Sequence, residues 1–194
     1  KTSKPLADAE GPIRGTEYMT HNSLRGSVCT TLFRKEILHD LRFPKGILHE
    51  DEEFTPQLML RAENLYFTNN KAYYYRKREG SIMHKRDKRW HIRRLSDAEQ
   101  VLYRLKERVD YLPVKERIAM ERRIAQLTMD HIYNVITMTH DETHLDHVLQ
   151  RLSRHGLFPL PDKDYTSKYK WFRRMTNSSF GRKTLIMLLR LNTR

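Results

Sequence analysis

Residues 41–82 read LRFPKGILHEDEEFTPQLMLRAENLYFTNNKAYYYRKREGSI, and this stretch decides the predicted fold. Its proline, lysine and glycine at 44–46 favour a turn. Four consecutive acids at 50–53 follow, and apolar residues from Phe54 onward recur with helical spacing. Because acids in the first turn of a helix complement its dipole, the stretch predicts a loop and then a helix that begins at 49–51.

Beyond this helix the pattern is typical of β-structure. Residues 64–68 and 72–76 are rich in aromatic side chains, and the two asparagines and one lysine between them favour a turn. A shorter β-branched run at 27–33 predicts another strand. We therefore expect an α+β fold for residues 1–88, in which short strands, a hairpin and helices combine.

From Trp90 onward the apolar residues follow the period of an α-helix. Pro113 is placed to open a second long helix, and Gly156 is placed to end a third. Asp141 is placed to cap the start of that third helix. The sequence thus predicts a second, all-helical domain over residues 89–194.

The composition favours anionic partners. Lys and Arg number 37 against 24 Asp and Glu, so the formal net charge of +13 suits nucleic acid, phosphorylated molecules or acidic membranes. Cys29 is the single cysteine, which excludes an internal disulfide and indicates a reducing compartment. Because Cys29 lies in an apolar run, we expect an inert buried thiol. No apolar run reaches transmembrane length, and a first residue of Lys1 indicates a fragment of a longer chain.

Histidine spacing offers one candidate metal site. His140, His144 and His147 lie close together, with acids between them. The same residues begin an amphipathic helix and fall on its polar face, so we expect a solvated helix start and no metal site in this chain. His131 lies on the apolar stripe of the preceding helix, where we expect a hydrogen-bonded core histidine.

Three segments of the first half of the chain stand out as a set. They are LFRKEIL at 32–38, LRFPKGILHEDEEF at 41–54 and YRKREGSI at 75–82. In order and spacing they resemble elements of the bacterial family 2 glycosyltransferases, which are of the GT-A type. In that family a Glu-Asp doublet opens a helix under the active site, and a Tyr-Arg-x-Arg-x-x-Ser-Ile stretch follows a hairpin. The resemblance covers residues 16–84 and implies the C-terminal, acceptor-side portion of such an enzyme.

The resemblance implies inverting transfer of a sugar from a nucleotide-diphosphate donor to an acceptor hydroxyl, in surface or capsular polysaccharide synthesis. Asp51 matches the general base and Glu50 its orienting neighbour, since an alcohol needs a carboxylate to take its proton. Arg76 and Arg78 match the cations that meet the leaving diphosphate, and Ser81 matches a hydrogen-bond donor beside them. The implied acceptor is a saccharide or a lipid-linked saccharide.

The family also has an N-terminal, nucleotide-binding half with an Asp-x-Asp metal motif. In this chain Asp-x-Asp occurs only at 162–164, well after the matched segments. The resemblance therefore implies that Mg²⁺ or Mn²⁺ serves the full-length enzyme with its main ligands outside this chain, and that this chain alone is inactive. It also implies a cytoplasmic enzyme, with the inner face of the cell membrane as a second location.

Two alternatives stay open. The basic residues at 76–94 are interleaved with aromatic side chains, as in a non-enzymatic module that tracks the phosphates of nucleic acid or another polyanion. The transferase interpretation expects no nucleic acid. Residues 181–194 combine leucines with arginines, so they suit either peripheral contact with an anionic membrane or packing on the helical domain.

Overall fold

The computed structural model describes residues 12–68, 73–76 and 87–191 of the chain. The α-helices in these ranges are α1 (Gly15–His21), α2 (Glu50–Leu60), α3 (Lys88–Val109), α4 (Val114–Thr139), α5 (Glu142–Arg154), α6 (Ser167–Asn177) and α7 (Ser179–Leu191). Two short 3-10 helices, Val28–Thr30 and Lys35–Leu38, lie between α1 and α2. The described ranges contain no sheet, so the fold is all-helical and the predicted α+β class with a GT-A half is wrong.

The predicted strand at 27–33 contains a 3-10 helix instead. Val28 and Phe33 pack against Phe54 and Leu58 of α2. A strand needs a neighbouring strand for its hydrogen bonds, and here a helix occupies that place. The β-branched composition of the run therefore does not decide its structure.

The predicted hairpin is not formed by the residues that the structure describes. Residues 64–68 carry one antiparallel bridge, from Leu65 to Ile13, while 73–76 have no regular structure and expose their tyrosines. The turn at 69–72 lies outside the described residues. Leu65 thus pairs with the segment before α1 and not with the tyrosine-rich run.

The main core lies between the long helices α3, α4 and α5. Residues 110–113 join α3 to α4, and so short a connection makes the two helices antiparallel neighbours. Leu105, Ile132 and Leu145 are completely buried where the three helices meet. Burying each such side chain contributes about 2 kcal/mol. The helical periodicity predicted after Trp90 is confirmed.

Helices α1 and α2 pack against α4. Met19, Met59 and Ala119 share a small buried cluster, so one residue from each helix contributes to it. Gly15 allows α1 to approach α2, because a Cβ at this position would clash with the carbonyl oxygen of Met59. The helices on both sides of residue 88 are therefore in contact, and the domain boundary predicted there stays a prediction.

The ends of α5 match the sequence prediction. Asp141 caps α5, because its carboxylate accepts a hydrogen bond of 3.1 Å from the backbone N–H of His144. Gly156 ends the helix with a φ of 66°, a left-handed conformation that favours glycine. Helices α6 and α7 follow, and Leu185 and Ile186 of α7 are buried in the main core. In the described ranges we find no helix with the length and apolarity needed to cross a bilayer.

Candidate functional site

The four acids that open α2 fall into two pairs, and the second pair is structural. Glu53 is buried, and its carboxylate lies 3.5 Å from Arg104 and 3.9 Å from Arg108 of α3. Glu52 forms an ion pair with the buried guanidinium of Arg123 on α4. These contacts tie the start of α2 to both long helices. Two of the four acids, Glu52 and Glu53, therefore have structural roles that explain their presence without a catalytic function.

The first pair, Glu50 and Asp51, has no ion-pair partner among the described residues. Glu50 is exposed, whereas Asp51 is half-buried. Burial and, to a smaller extent, the negative charges of Glu52 and Glu50 together raise the pKa of Asp51 from about 3.8 to about 6. Asp51 is therefore a desolvated carboxyl that changes its protonation state near neutral pH. A general base is most effective when its pKa lies in that range.

Helix α3 fixes the loop that delivers this carboxyl. The backbone N–H of Leu48 donates to the carboxylate of Asp97 over 2.9 Å, and Arg93 donates to the carbonyl of Gly46 over 3.0 Å. Arg94 donates over 3.3 Å to Nε2 of His49. Burial lowers the pKa of His49, and the charge of Arg94 lowers it further. A neutral His49 therefore accepts the bond from Arg94.

Two backbone positions in the same loop adopt the left-handed conformation. Gly46 has a φ of 78°, which glycine adopts freely. His49 has a φ of 65° immediately before α2, which is uncommon for a residue with a Cβ. The hydrogen bond from Arg94 holds the ring of His49 in place. This conformation turns the chain into α2 and sets the direction of the Glu50–Asp51 doublet.

The predicted diphosphate-binding residues are only partly described. Arg76 is exposed and forms no hydrogen bond or ion pair with another described residue. Arg78 and Ser81 lie outside the described residues. Glu50 and Asp51 thus lie in the first turn of α2, and neither of them contacts Arg76 among the described contacts. The roles of Arg76, Arg78 and Ser81 stay predictions.

Sequence reasoning missed a second polar cluster, between α3, α4 and α5. Arg151 donates two hydrogen bonds to Glu99, of 2.7 Å to Oε1 and 2.9 Å to Oε2. The hydroxyl of Tyr103 donates to the same carboxylate, and Nε2 of His131 lies 3.6 Å from it. Burial of Glu99 opposes its ionisation, yet the contacts with Arg151, His131 and Tyr103 together outweigh burial and lower its pKa.

A signal for this cluster exists in the sequence but is weak. Glu99 and Tyr103 are spaced four residues apart on α3, so they share a face. Nothing in the sequence places Arg151 or His131 opposite them. His131 is buried, as predicted, with its Nε2 facing the carboxylate of Glu99 at 3.6 Å, just beyond hydrogen-bond distance, while its Nδ1 has no hydrogen-bond partner within the described structure.

Two other sequence expectations concern metal and thiol chemistry. Among the described residues, no three His, Cys, Asp or Glu side chains are grouped so that they could hold a metal ion. We therefore assign no ligand of the implied Mg²⁺ or Mn²⁺ to the described part of this chain. Cys29 is exposed in its 3-10 helix, so the expectation of a buried thiol is wrong.

Comparison with known proteins adds no assignment to this geometry. No family model matches the chain, and no curated protein or solved structure is significantly similar to it.

Proposed function

We propose that the chain is the acceptor-side portion of an inverting glycosyltransferase, with Asp51 as its general base. The enzyme transfers a sugar from a nucleotide-diphosphate donor to a hydroxyl of a saccharide or lipid-linked acceptor. This transfer serves surface-polysaccharide synthesis on the cytoplasmic side of the cell membrane. One observation supports this most directly. Of the four acids at the start of α2, Asp51 is the one that is both half-buried and without an ion-pair partner among the described residues, and its pKa is raised to about 6.

The chemistry follows from this carboxylate. As the acceptor oxygen bonds to the anomeric carbon, its proton passes to ionised Asp51. The bond from that carbon to the donor phosphate breaks on the opposite face, and the nucleoside diphosphate leaves with the electron pair. Glu50 is exposed beside Asp51 and is proposed as the neighbouring acid that orients it. Arg76, together with Arg78 and Ser81, is proposed to receive the leaving diphosphate.

The proposal that Asp51 is a general base does not require a β-sheet, because Asp51 and its neighbours lie on a helix and a loop. Glu52 and Glu53 hold α2 on α3 and α4, and α3 holds the preceding loop. A base must be held still to act on a bound hydroxyl. The contacts around Asp51 meet that requirement.

The experiment is transfer by the full-length protein that contains this chain, followed as release of nucleoside diphosphate from a panel of nucleotide-sugars. Asp51→Asn should lower kcat at least about a hundredfold, the usual contribution of a general base. Donor affinity, measured by calorimetry, should stay unchanged. Glu36→Gln, an exposed acid on a 3-10 helix, is the matched control and should keep full activity. Transfer that survives Asp51→Asn would refute the assignment of the base.

A further inference from the structure

A long groove runs between α3, α4 and α5, with a cavity volume of about 910 Å³. Its α3 wall extends from Lys88 to Tyr103, which is roughly 22 Å at the rise of an α-helix. His131 lies in its α4 wall and Arg151 in its α5 wall. A groove of this size suits a small-molecule ligand, since such sites span several hundred cubic ångströms.

Histidine nitrogens in the groove walls are buried without a hydrogen-bond partner. His131 is 3% exposed; its Nδ1 has no hydrogen-bond partner within the described structure, and its Nε2 faces the Glu99 carboxylate at 3.6 Å, beyond hydrogen-bond distance. Nδ1 of His91, also in the groove wall, is buried and unpartnered in the same way. Burial of such an atom without a partner is unfavourable. These atoms therefore indicate a ligand that supplies the missing bonds.

The charges that line the groove indicate an uncharged ligand. Among the lining residues that the structure describes, two cationic side chains, Lys88 and Arg151, are matched by two carboxylates, Glu99 and Asp141. Arg151 and Glu99 already satisfy each other through two hydrogen bonds. A ligand with a net charge would add an unmatched charge to a half-enclosed site, which is unfavourable.

The remaining lining selects the shape of that ligand. Aliphatic side chains lie between the polar groups, contributed by Ile92, Val135 and Val148. The ring nitrogens of His91 and His131 can each exchange a hydrogen bond with a hydroxyl group, because a hydroxyl group both donates and accepts. Polyols such as sugar rings combine hydroxyl groups with C–H faces that pack on aliphatic carbon.

We propose that this groove binds an uncharged, polyhydroxylated ligand, such as a short oligosaccharide, whose hydroxyl groups bond to His91 and His131. Its C–H faces pack on the aliphatic side chains between them. The site is separate from the proposed catalytic doublet, because Asp51 does not line the groove. Whether the groove binds this ligand is therefore independent of the transferase proposal.

The experiment is calorimetric titration of the protein with maltotriose and with chitotriose, each up to high millimolar concentration. Trigalacturonate, an anionic trisaccharide of similar size, is titrated in parallel. We expect a neutral trisaccharide to bind and trigalacturonate to bind at least about tenfold more weakly, since each unmatched polar group costs roughly 1.4 kcal/mol or more.

Two variants test where the sugar binds. His131→Phe keeps the ring shape and removes both nitrogens, so it should weaken binding about tenfold. Gln100→Ala removes an exposed polar side chain that lines the groove, so it should weaken binding about threefold without disturbing the core. Gln150→Ala, an exposed glutamine of α5 outside the groove lining, is the matched control and should leave the Kd unchanged.

Three results would overturn the proposal. The first is absence of binding by both neutral trisaccharides. The second is binding of trigalacturonate as tight as that of the neutral sugars. The third is an unchanged Kd in Gln100→Ala and in a folded His131→Phe, which would place the sugar elsewhere. Catalytic activity enters none of these measurements, so a failure here leaves the assignment of Asp51 untouched.

Discussion

The buried carboxylate of Glu53 on α2 lies 3.5 Å from the guanidinium of Arg104 on α3. Arg108 lies 3.9 Å from the same carboxylate, so two cations of α3 share one anion of α2. Both arginines are partly exposed, at 42% and 57% of their side-chain surface. These two ion pairs therefore join α2, the helix that begins with the proposed base, to α3 at the edge of the core.

We predict that Glu53→Gln lowers the free energy of unfolding by about 1–2 kcal/mol, because it removes a buried anion from two cations that solvent only partly screens. Urea denaturation of the variant and the wild type measures the change. Glu107→Gln, on the exposed surface of α3, is the control and should change stability by less than about 0.5 kcal/mol. Equal losses in the two variants would show that the Glu53 ion pairs contribute nothing.

Replacing Asp51 should stabilise the protein, in contrast to replacing Glu53, and the size of this effect should depend on pH. The folded-state pKa of Asp51 is raised from about 3.8 to about 6, so the stability that its protonated form contributes is present below pH 4 and is lost as pH rises through 6. Asn does not ionise, so Asp51→Asn should gain about 1–2 kcal/mol over the wild type above pH 6 and match it at pH 4.

Thermal unfolding at pH 4, 5, 6, 7 and 8 measures this gain. For a chain of this length each kcal/mol shifts Tm by about 2–4 °C. Glu36→Gln, which replaces an exposed acid, should follow the wild type at every pH. A difference between Asp51→Asn and the wild type that stays constant from pH 4 to pH 8 would show that the carboxyl is not desolvated.

Much of this fold was predictable, and the reason is local. Helices α3, α4 and α5 carry long apolar stripes, and the residues that begin and end α5, Asp141 and Gly156, lie where the sequence places them. Such features depend on neighbours three or four residues away, so the sequence displays them directly. The start of α2 at Glu50 follows from the same kind of signal.

The errors concern partners that are distant in sequence. The run at 27–33 and the tyrosines at 73–75 have strand-like composition, but a strand exists only where another strand pairs with it. The cluster around Glu99 depends on how α5 is rotated against α3, which brings Arg151 to the carboxylate from 52 positions away. No local pattern determines that rotation. The resemblance points to Asp51 and Glu50. Only the tertiary contacts show that Glu52 and Glu53 form ion pairs with other helices whereas Glu50 and Asp51 do not, among the described residues.

Arg122 of α4 should be important for the position of α1. Its guanidinium donates to the carbonyls of Met19 and Asn22 at the end of α1, and its Nε donates to the carbonyl of Asp164 over 2.8 Å. Arg122→Met should cost about 2–4 kcal/mol, because one buried and two partly buried carbonyls lose a charged donor. Chemical denaturation measures the loss. Arg154→Met, an exposed arginine on α5, should cost less than about 0.5 kcal/mol, and a similar loss in both variants would contradict the prediction.

Gly15 should tolerate no side chain. A Cβ there would clash with the carbonyl of Met59, so Gly15→Ala must push α1 away from α2, at a cost of about 1–3 kcal/mol. The expected result is a lower Tm, although alanine favours helix over glycine. Glu17→Ala, at an exposed position of α1, is the control with the same product residue. A Gly15→Ala variant as stable as the wild type would show that the two helices are not in close contact.

Helix α7 presents two faces, and the second suits a membrane surface. Leu185 and Ile186 are buried in the core, while Phe180 and Met187 are 79% and 63% exposed. We predict co-sedimentation with vesicles that contain phosphatidylglycerol, because exposed apolar side chains beside arginines bind anionic bilayers. Replacing Phe180 and Met187 together by serine should reduce the pelleted fraction severalfold. Tyr111→Ser, an exposed aromatic elsewhere, should not, and equal pelleting of both variants would contradict a role for α7.

The unequal division of the four acids has a practical consequence for mutational screens. In a library that randomises 50–53, changes at Glu52 and Glu53 will reduce the yield of folded protein, whereas changes at Glu50 and Asp51 will leave it intact. Under the proposed mechanism, a screen that reads product formation alone will therefore score all four positions as essential. Normalising each clone to its folded concentration then separates the positions that hold the start of α2 in place from those proposed to act in transfer.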